Sequence, residues 1–291
     1  MRRSITGCLL FTIVAFQPTS GRQQDAAAHH ARGVEFMMRR CLDEASGEFD
    51  KALALDPPRD PDERQRLLIE RFAPRLHVAR AEPFPLKDFA AVMHPSERFI
   101  AYHLFWEDDI DFPEDNDPSD HEVVWVKYAV SGDATEAIWT YFHRRMLRGG
   151  DAALADARAH GGRPRINVQW GKHGSIPLGW ESMQIVADAG DIEGRFYPVG
   201  TPITLKVYNE GTFRKLSTLG TRLSGHPLAV RAGWPRRFSG TWEEFSAFTK
   251  AVDPLPLLRS RRMILVSRWN TAVINRHFLR YNFRPKTEWP E

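Results

Sequence analysis

Between residues 98 and 145 the chain carries its clearest pattern. HEVVWVKYAV at 121–130 alternates with period two, so Val124, Val126, Tyr128 and Val130 share one strand face. Val123, Trp125 and Ala129 take the other face, which predicts a strand partly covered on both sides. FIAYHLFW at 99–106 is dense in aromatic and apolar residues and reads as a preceding strand. EAIWTYFHRR at 136–145 follows an SGDAT turn and reads as an antiparallel neighbour. RINVQWGKHG (165–174), TPITLKVY (201–208) and RRMILVSRWN (261–270) supply further strands. One more strand is expected near 75–80. An irregular connection should follow it, because Pro83 and Pro85 lack the backbone N–H that regular structure needs.

Helical spacing is confined to a few segments. Val34, Met37, Met38, Cys41 and Leu42 recur with the 3.6-residue period between Gly33 and Leu55. Asp60 or Asp62 caps a short helix through Ile69, and DAALADARAH (151–160) reads as a short helix or ordered loop. TWEEFSAFTKAV (241–252) has Thr241 as a cap with Glu244 three residues later, and predicts a helix. Many strands with long loops and few helices define the expected class. It is a mainly β chain forming an antiparallel β-sandwich, with a few peripheral helices and a helical N-terminal arm. Residues 1–21 are expected to be a signal peptide, 22–65 the arm and 66–291 the β-sandwich domain. The signal is read from Arg2 and Arg3 before an apolar run from Ile5 to Phe16, which is too short to span a bilayer. The expected location is therefore secreted or periplasmic.

Composition adds limits more than identity. At 291 residues and 42% hydrophobic, with nine Trp and eighteen Phe, the chain can bury a sizeable core. A net charge of +3 gives no case for nucleic acid as a partner. With the signal removed, Cys41 is the only thiol left, so no internal disulfide is expected.

Charge distribution is more telling. Between Asp108 and Glu122, eight of fifteen residues are acidic. Carboxylates this close repel one another unless a cation compensates, and grouped hard oxygens suit Ca²⁺ or Mg²⁺. The twelve residues from Asp111 to Glu122 match an EF-hand in length but have Asn116 where that loop needs Gly, and their flanks read as strands. A strand-end geometry fits better. Asp120 and Glu122, two apart, point to one face, and His121 points to the other. Asp108, Asp109, Asp111 or Asp117 can fold over from the loop. His173 lies in a Gly-rich turn after a strand, and if the two strand ends are neighbours then Asp120, Glu122 and His173 converge. No HExxH, CxxC pair, GxSxG or Gly-rich phosphate loop is present. Asx turns and capping are the plain alternative for DNDPSD.

Several stretches resemble one β-sandwich superfamily. ERFAPRLHVARAEPFPLKDF resembles its opening strand and acidic-aromatic-Pro stretch. Asp120-His121-Glu122 followed by VVWVKY is similar to its Asp-Trp-Glu before a Val-rich strand, and VQWGKHGS is similar to a later His–Gly turn. That superfamily contains the necrosis- and ethylene-inducing-like proteins and the Vps62-like domains. The resemblance implies a divalent cation held by Asp120 and Glu122, with His173 close by and Asp109 as an earlier carboxylate. Asp117 stands where the family has its first His and His121 where it has Trp, which favours Ca²⁺ or Mg²⁺ and tells against toxin activity. It further implies a glycan or lipid head group as ligand, with Trp106, Trp170 and Trp180 as flanking aromatic residues, and peripheral membrane contact only.

Three functions remain open at this point. The leading one is a cation-dependent binding protein. A metal-dependent hydrolase would use Asp120 or Glu122 as base and His173 as acid. An envelope protein without metal would use the acidic loop as turn chemistry alone.

Overall fold

The structure is a computed structural model that describes residues 21–80, 82–109, 120–187, 198–223, 241–260, 264–265, 286 and 288–290. The expected signal segment through residue 20, Asp117 and most of 261–270 lie outside the described residues.

Two helices open the described chain, α1 (Gly21–Met38) and α2 (Leu42–Leu55). They pack as a hairpin around Met37, Ala45 and the fully buried Phe49. The third, α3 (Glu63–Arg71), starts at Asp62 with a reciprocal capping box to Gln65, so it crosses the boundary expected near residue 65.

Strands β1 (Arg75–Val78), β2 (Leu86–Met93), β3 (Phe99–Trp106), β4 (Asp120–Tyr128), β5 (Thr135–Phe142) and β6 (Arg145–Arg148) follow. Helix α4 (Asp151–Ala159), β7 (Arg165–Val168), β8 (Ser175–Pro177), β9 (Gln184–Val186) and β10 (Pro202–Thr204) come next. The chain then forms α5 (Leu205–Leu223), α6 (Trp242–Ser246), β11 (Lys250–Val252), α7 (Leu255–Ser260) and β12 (Ile264–Leu265).

The strands form three mostly antiparallel sheets, in the orders β12-β2-β3-β4-β5-β6, β11-β1-β7-β8 and β10-β9. Among the described strands, only β1–β7 and β12–β2 run parallel. The two larger sheets share one core. Ile100, Tyr102, Leu104, Val124, Val126 and Ile138 from one meet Leu76, Val78, Ile166 and Val168 from the other. The opposite face of the six-stranded sheet is also covered. Ala90, Val92, Phe105, Val123 and Trp125 cluster there, with Leu53 of α2 and Trp289 packed against them. The arm thus covers a sheet face.

Several expectations are corrected. Helix makes up 38% and strand 29% of the structure, so the fold is sheet-rich but its helices are not a few peripheral ones. The irregular connection after β1 contains β2. Its LKDFAAVM sequence does not alternate because both faces are buried. TPITLKVY is not one strand: β10 ends at Thr204 and α5 begins at Leu205. The capped helix at Thr241 stops at Ser246, and Lys250–Val252 pair with β1 instead. Val130 lies beyond β4 and is exposed.

One glycine fixes the α4–β7 corner. Gly162 has φ +101°, its N–H donates to the carbonyl of Ala157, and its own carbonyl accepts from Thr135. A Cβ there would sit 2.7 Å from the Phe72 ring. Gly162→Ala should therefore cost about 1–3 kcal/mol, from strain plus overlap with a buried aromatic ring. Urea denaturation of the two proteins would show it; equal midpoints would contradict the argument.

Candidate functional site

Strand β4 pairs with β3 so that Trp106 faces Asp120 and Leu104 faces Glu122. That register puts both carboxylates on the face that carries Val124 into the shared core, and His121 on the other. The turn after β7 delivers His173. The Gln169 N–H donates to the Gly174 carbonyl, the His173 N–H donates to the Gln169 carbonyl, and Gly171 and His173 both take positive φ. His173 at φ +53° is a left-handed residue without glycine's freedom, and its side-chain bonds hold it there.

His173 is fully buried. Its Nδ1–H donates to Asp120 Oδ2 at 2.9 Å and its Nε2–H donates to Glu82 Oε1 at 3.1 Å. The Gly171 N–H donates to the other Glu82 oxygen at 3.0 Å. The Trp106 ring stacks on the imidazole at 4.5 Å, nearly parallel, and Phe84 meets it edge-on. Burial alone would strip the His173 proton, but the Glu82 charge and the bonds to Asp120 and Glu82 outweigh it and push the group up to about 9. Asp120 shows the counterpart. Burial raises it, yet the bond from His173 and the Lys286 charge hold it at about 2.

Lys286 completes the cluster from far along the chain. Its ammonium lies 2.9 Å from Glu122 Oε1 and 4.0 Å from Asp120 Oδ1, donates to the His121 carbonyl, and sits over the Tyr141 ring. Glu122 is nonetheless pushed up to about 8, because burial outweighs the Lys286 charge and the neighbouring Asp120 adds to the rise. Its Oε2 has no hydrogen-bond partner among the described residues. On the outer face the Lys286 N–H donates to His121 Nδ1, which leaves the His121 Nε2–H to donate to His103 Nδ1 at 3.0 Å. Burial holds both rings below the usual histidine range, His103 at about 3, so both are neutral.

The structure therefore brings Asp120, Glu122 and His173 together. Asp109 lies at the edge of this group, buried and bonded to Lys172 at 2.6 Å. Trp106 is buried against His173. Trp180 is buried in a separate core cluster and packs on Phe248. Trp170, also buried, lines a pocket behind the His173 turn. Both His173 nitrogens bond carboxylates, and Ser175 Oγ has no hydrogen-bond partner among the described residues, so the two form no serine dyad. Glu82, Lys172 and Lys286 are the residues the sequence did not single out. Of these, only Glu82 had a local signal, inside the acidic-aromatic-Pro stretch.

As a cation site, the donor set is partly suited. Asp120 and Glu122 offer hard oxygens on one face, and Glu122 Oε2 has no hydrogen-bond partner among the described residues. Among the described residues, though, no three His, Cys, Asp or Glu side chains are grouped as metal ligands. A protonated His173 has no lone pair to give, and the Lys286 ammonium stands beside both carboxylates. The positive charge the carboxylates need is thus supplied by the protein. Comparison of the chain with protein-family models, with curated proteins and with solved structures finds no match.

Proposed function

We propose that this protein is a divalent-cation-dependent binding protein of the antiparallel β-sandwich type, recognising a glycan or lipid head group. The sandwich reading is supported by two sheets that share one core. The binding reading is carried by Glu122 Oε2, a buried carboxylate oxygen without a partner on the same strand face as Asp120. The resemblance to necrosis-inducing-like and Vps62-like proteins points the same way, and Arg2 and Arg3 before the apolar run from Ile5 to Phe16 favour a secreted or periplasmic protein. Asp120 and Glu122 would hold Ca²⁺ or Mg²⁺ once Lys286 withdraws and Glu122 releases the proton that burial holds on it. The ion would then supply the charge the ammonium supplies now, and bind hydroxyl or phosphate oxygens. The hydrolase reading draws less support, since both His173 nitrogens are bonded to carboxylates inside a fully buried site.

Thermal unfolding in EDTA and in millimolar Ca²⁺, Mg²⁺ or Zn²⁺ tests this. A cation should stabilise the wild type by about 2.7 kcal/mol at a hundredfold excess over Kd. The gain should grow in Lys286→Met, which removes the competing ammonium, and vanish in Asp120→Asn. If no cation stabilises either the wild type or Lys286→Met, the cation has no place here and the cluster is structural.

A further inference from the structure

Beyond Trp289, the outer face of the six-stranded sheet holds an open groove of about 520 Å³. That volume lies within the range of small-ligand sites. The strand ladder places its residues. Phe99, Lys127 and Ala137 stand opposite one another on β3, β4 and β5, and Trp139 stands opposite Arg148 on β6. All of them share the face of Trp125, so the groove lies across the sheet from Asp120 and Glu122.

Two cations lie on aromatic rings here. The Lys127 ammonium sits over the Phe99 ring at 5.4 Å, and the Arg148 guanidinium over the Trp139 ring at 5.4 Å. Ring contact steadies each cation but uses none of its N–H donors. Among the described residues, neither side chain makes an ion pair or a hydrogen bond. The Glu97 carboxylate in the lining likewise has no such partner among them, whereas Glu136 is held by Arg98 at 3.0 Å. The two cations rise from β4 and β6, with β5 between them, and so from strands about 10 Å apart. That is too wide for one carboxylate or phosphate to bridge. It suits anionic groups on separate units of one chain.

We propose that this groove binds a short acidic glycan, a chain of hydroxylated rings that sets one carboxylate on Arg148 and another on Lys127. The lining asks its ligand for two things: anions for the cations, and O–H donors for Glu97. An acidic sugar chain offers both. The carboxylates of Glu97 and Glu136 disfavour a denser polyanion such as a nucleic acid, which brings a phosphate with every unit. The inference rests on the glycan part of the proposed function and uses no residue of its cation cluster.

The test is calorimetric titration of the full chain in EDTA with trimers of galacturonate, guluronate and mannuronate. Neutral maltotriose and a short single-stranded oligonucleotide serve as comparisons. Arg148 is exposed, so Arg148→Gln should leave the fold intact, and Lys127→Gln is the second variant. Circular dichroism checks both. The expected result is saturable binding of an acidic trimer and none of maltotriose. Each variant should bind about tenfold more weakly or worse, through the loss of one charge-assisted contact. Binding that is undiminished in both variants overturns the proposal, as does tighter binding of the oligonucleotide. No binding of any acidic trimer in EDTA also overturns it. If glycans then bind only once Ca²⁺ or Mg²⁺ is added, the proposed function stands without this groove.

Discussion

Raising the pH from about 6.5 to 9 should remove several kcal/mol of stability, and Glu122→Gln should remove part of that dependence. Two buried groups set the sign. His173 has a folded value of about 9 against 6.5 in a free chain. Its pairing stabilises fully below pH 6.5, and the contribution is lost as the pH rises through 9. A displacement of that size corresponds to about 3 kcal/mol. Glu122 is held at about 8 against an ordinary 4.5. Above pH 4.5 the unfolded chain releases this proton and the folded chain keeps it, so stability falls until pH 8, by about 5 kcal/mol. On the acid side, Asp120 is held at about 2 against 3.8, and its contribution is lost as the pH falls through 2. His103 and His121 act the other way: burial keeps both neutral in the fold, so their contribution is present above pH 6.5 and is lost as the pH falls below it. Stability should therefore be greatest near pH 6. Urea denaturation across pH 3–9 in EDTA would measure it. Glu122→Gln carries no such proton, so it should overtake the wild type near pH 8. A wild-type profile that is flat between pH 6.5 and 9 would show that these groups are not buried as described.

His173→Leu should be the most damaging single change in the cluster, costing about 3–5 kcal/mol at pH 7. The substitution keeps bulk against Trp106 but leaves Glu82 and Asp120 buried without their shared cation. Lys286 still lies 4.0 Å from Asp120 and compensates in part. Adding Asp120→Asn to the Leu variant should restore some of the loss, because the second change removes a charge that the first left stranded. A double-mutant cycle by chemical denaturation reads this coupling. Strictly additive losses would mean that the His173–Asp120 bond carries no energy of its own.

Much of the sheet was legible because β4 obeys a simple rule. Its residues alternate, and Val124 and Val126 face the shared core while Val123 and Trp125 face α2 and the C-terminal segment. Strand β2 was hidden by the same burial carried further: covered on both sides, it shows no alternation. The TPITLKVY segment misled because β-branched residues dominate its first half. The helical signal starts only at Leu205 and runs through Tyr208, Asn209 and Thr212, all buried with spacings of three and four. Asp120 and His173 were readable as neighbours, since strand ends and Gly turns have local signatures. Their charge partners were not. Nothing around Lys286 marks it as the partner of Glu122, because ion pairing across that separation leaves no periodic trace.

Those separations bear on how fast the chain can find this fold. Lys286 reaches Glu122 across 164 residues, His173 reaches Glu82 across 91, and β1 runs parallel to β7 although five strands and α4 lie between them. Each contact closes a long loop before it is rewarded, and parallel pairing at this distance is intrinsically slow. Strands β2 to β6 can collapse early from their hairpins, but the carboxylates of β4 then wait for His173 and Lys286. The last kinetic phase of folding should accordingly be the arrival of charge, with the hydrophobic layers already in place.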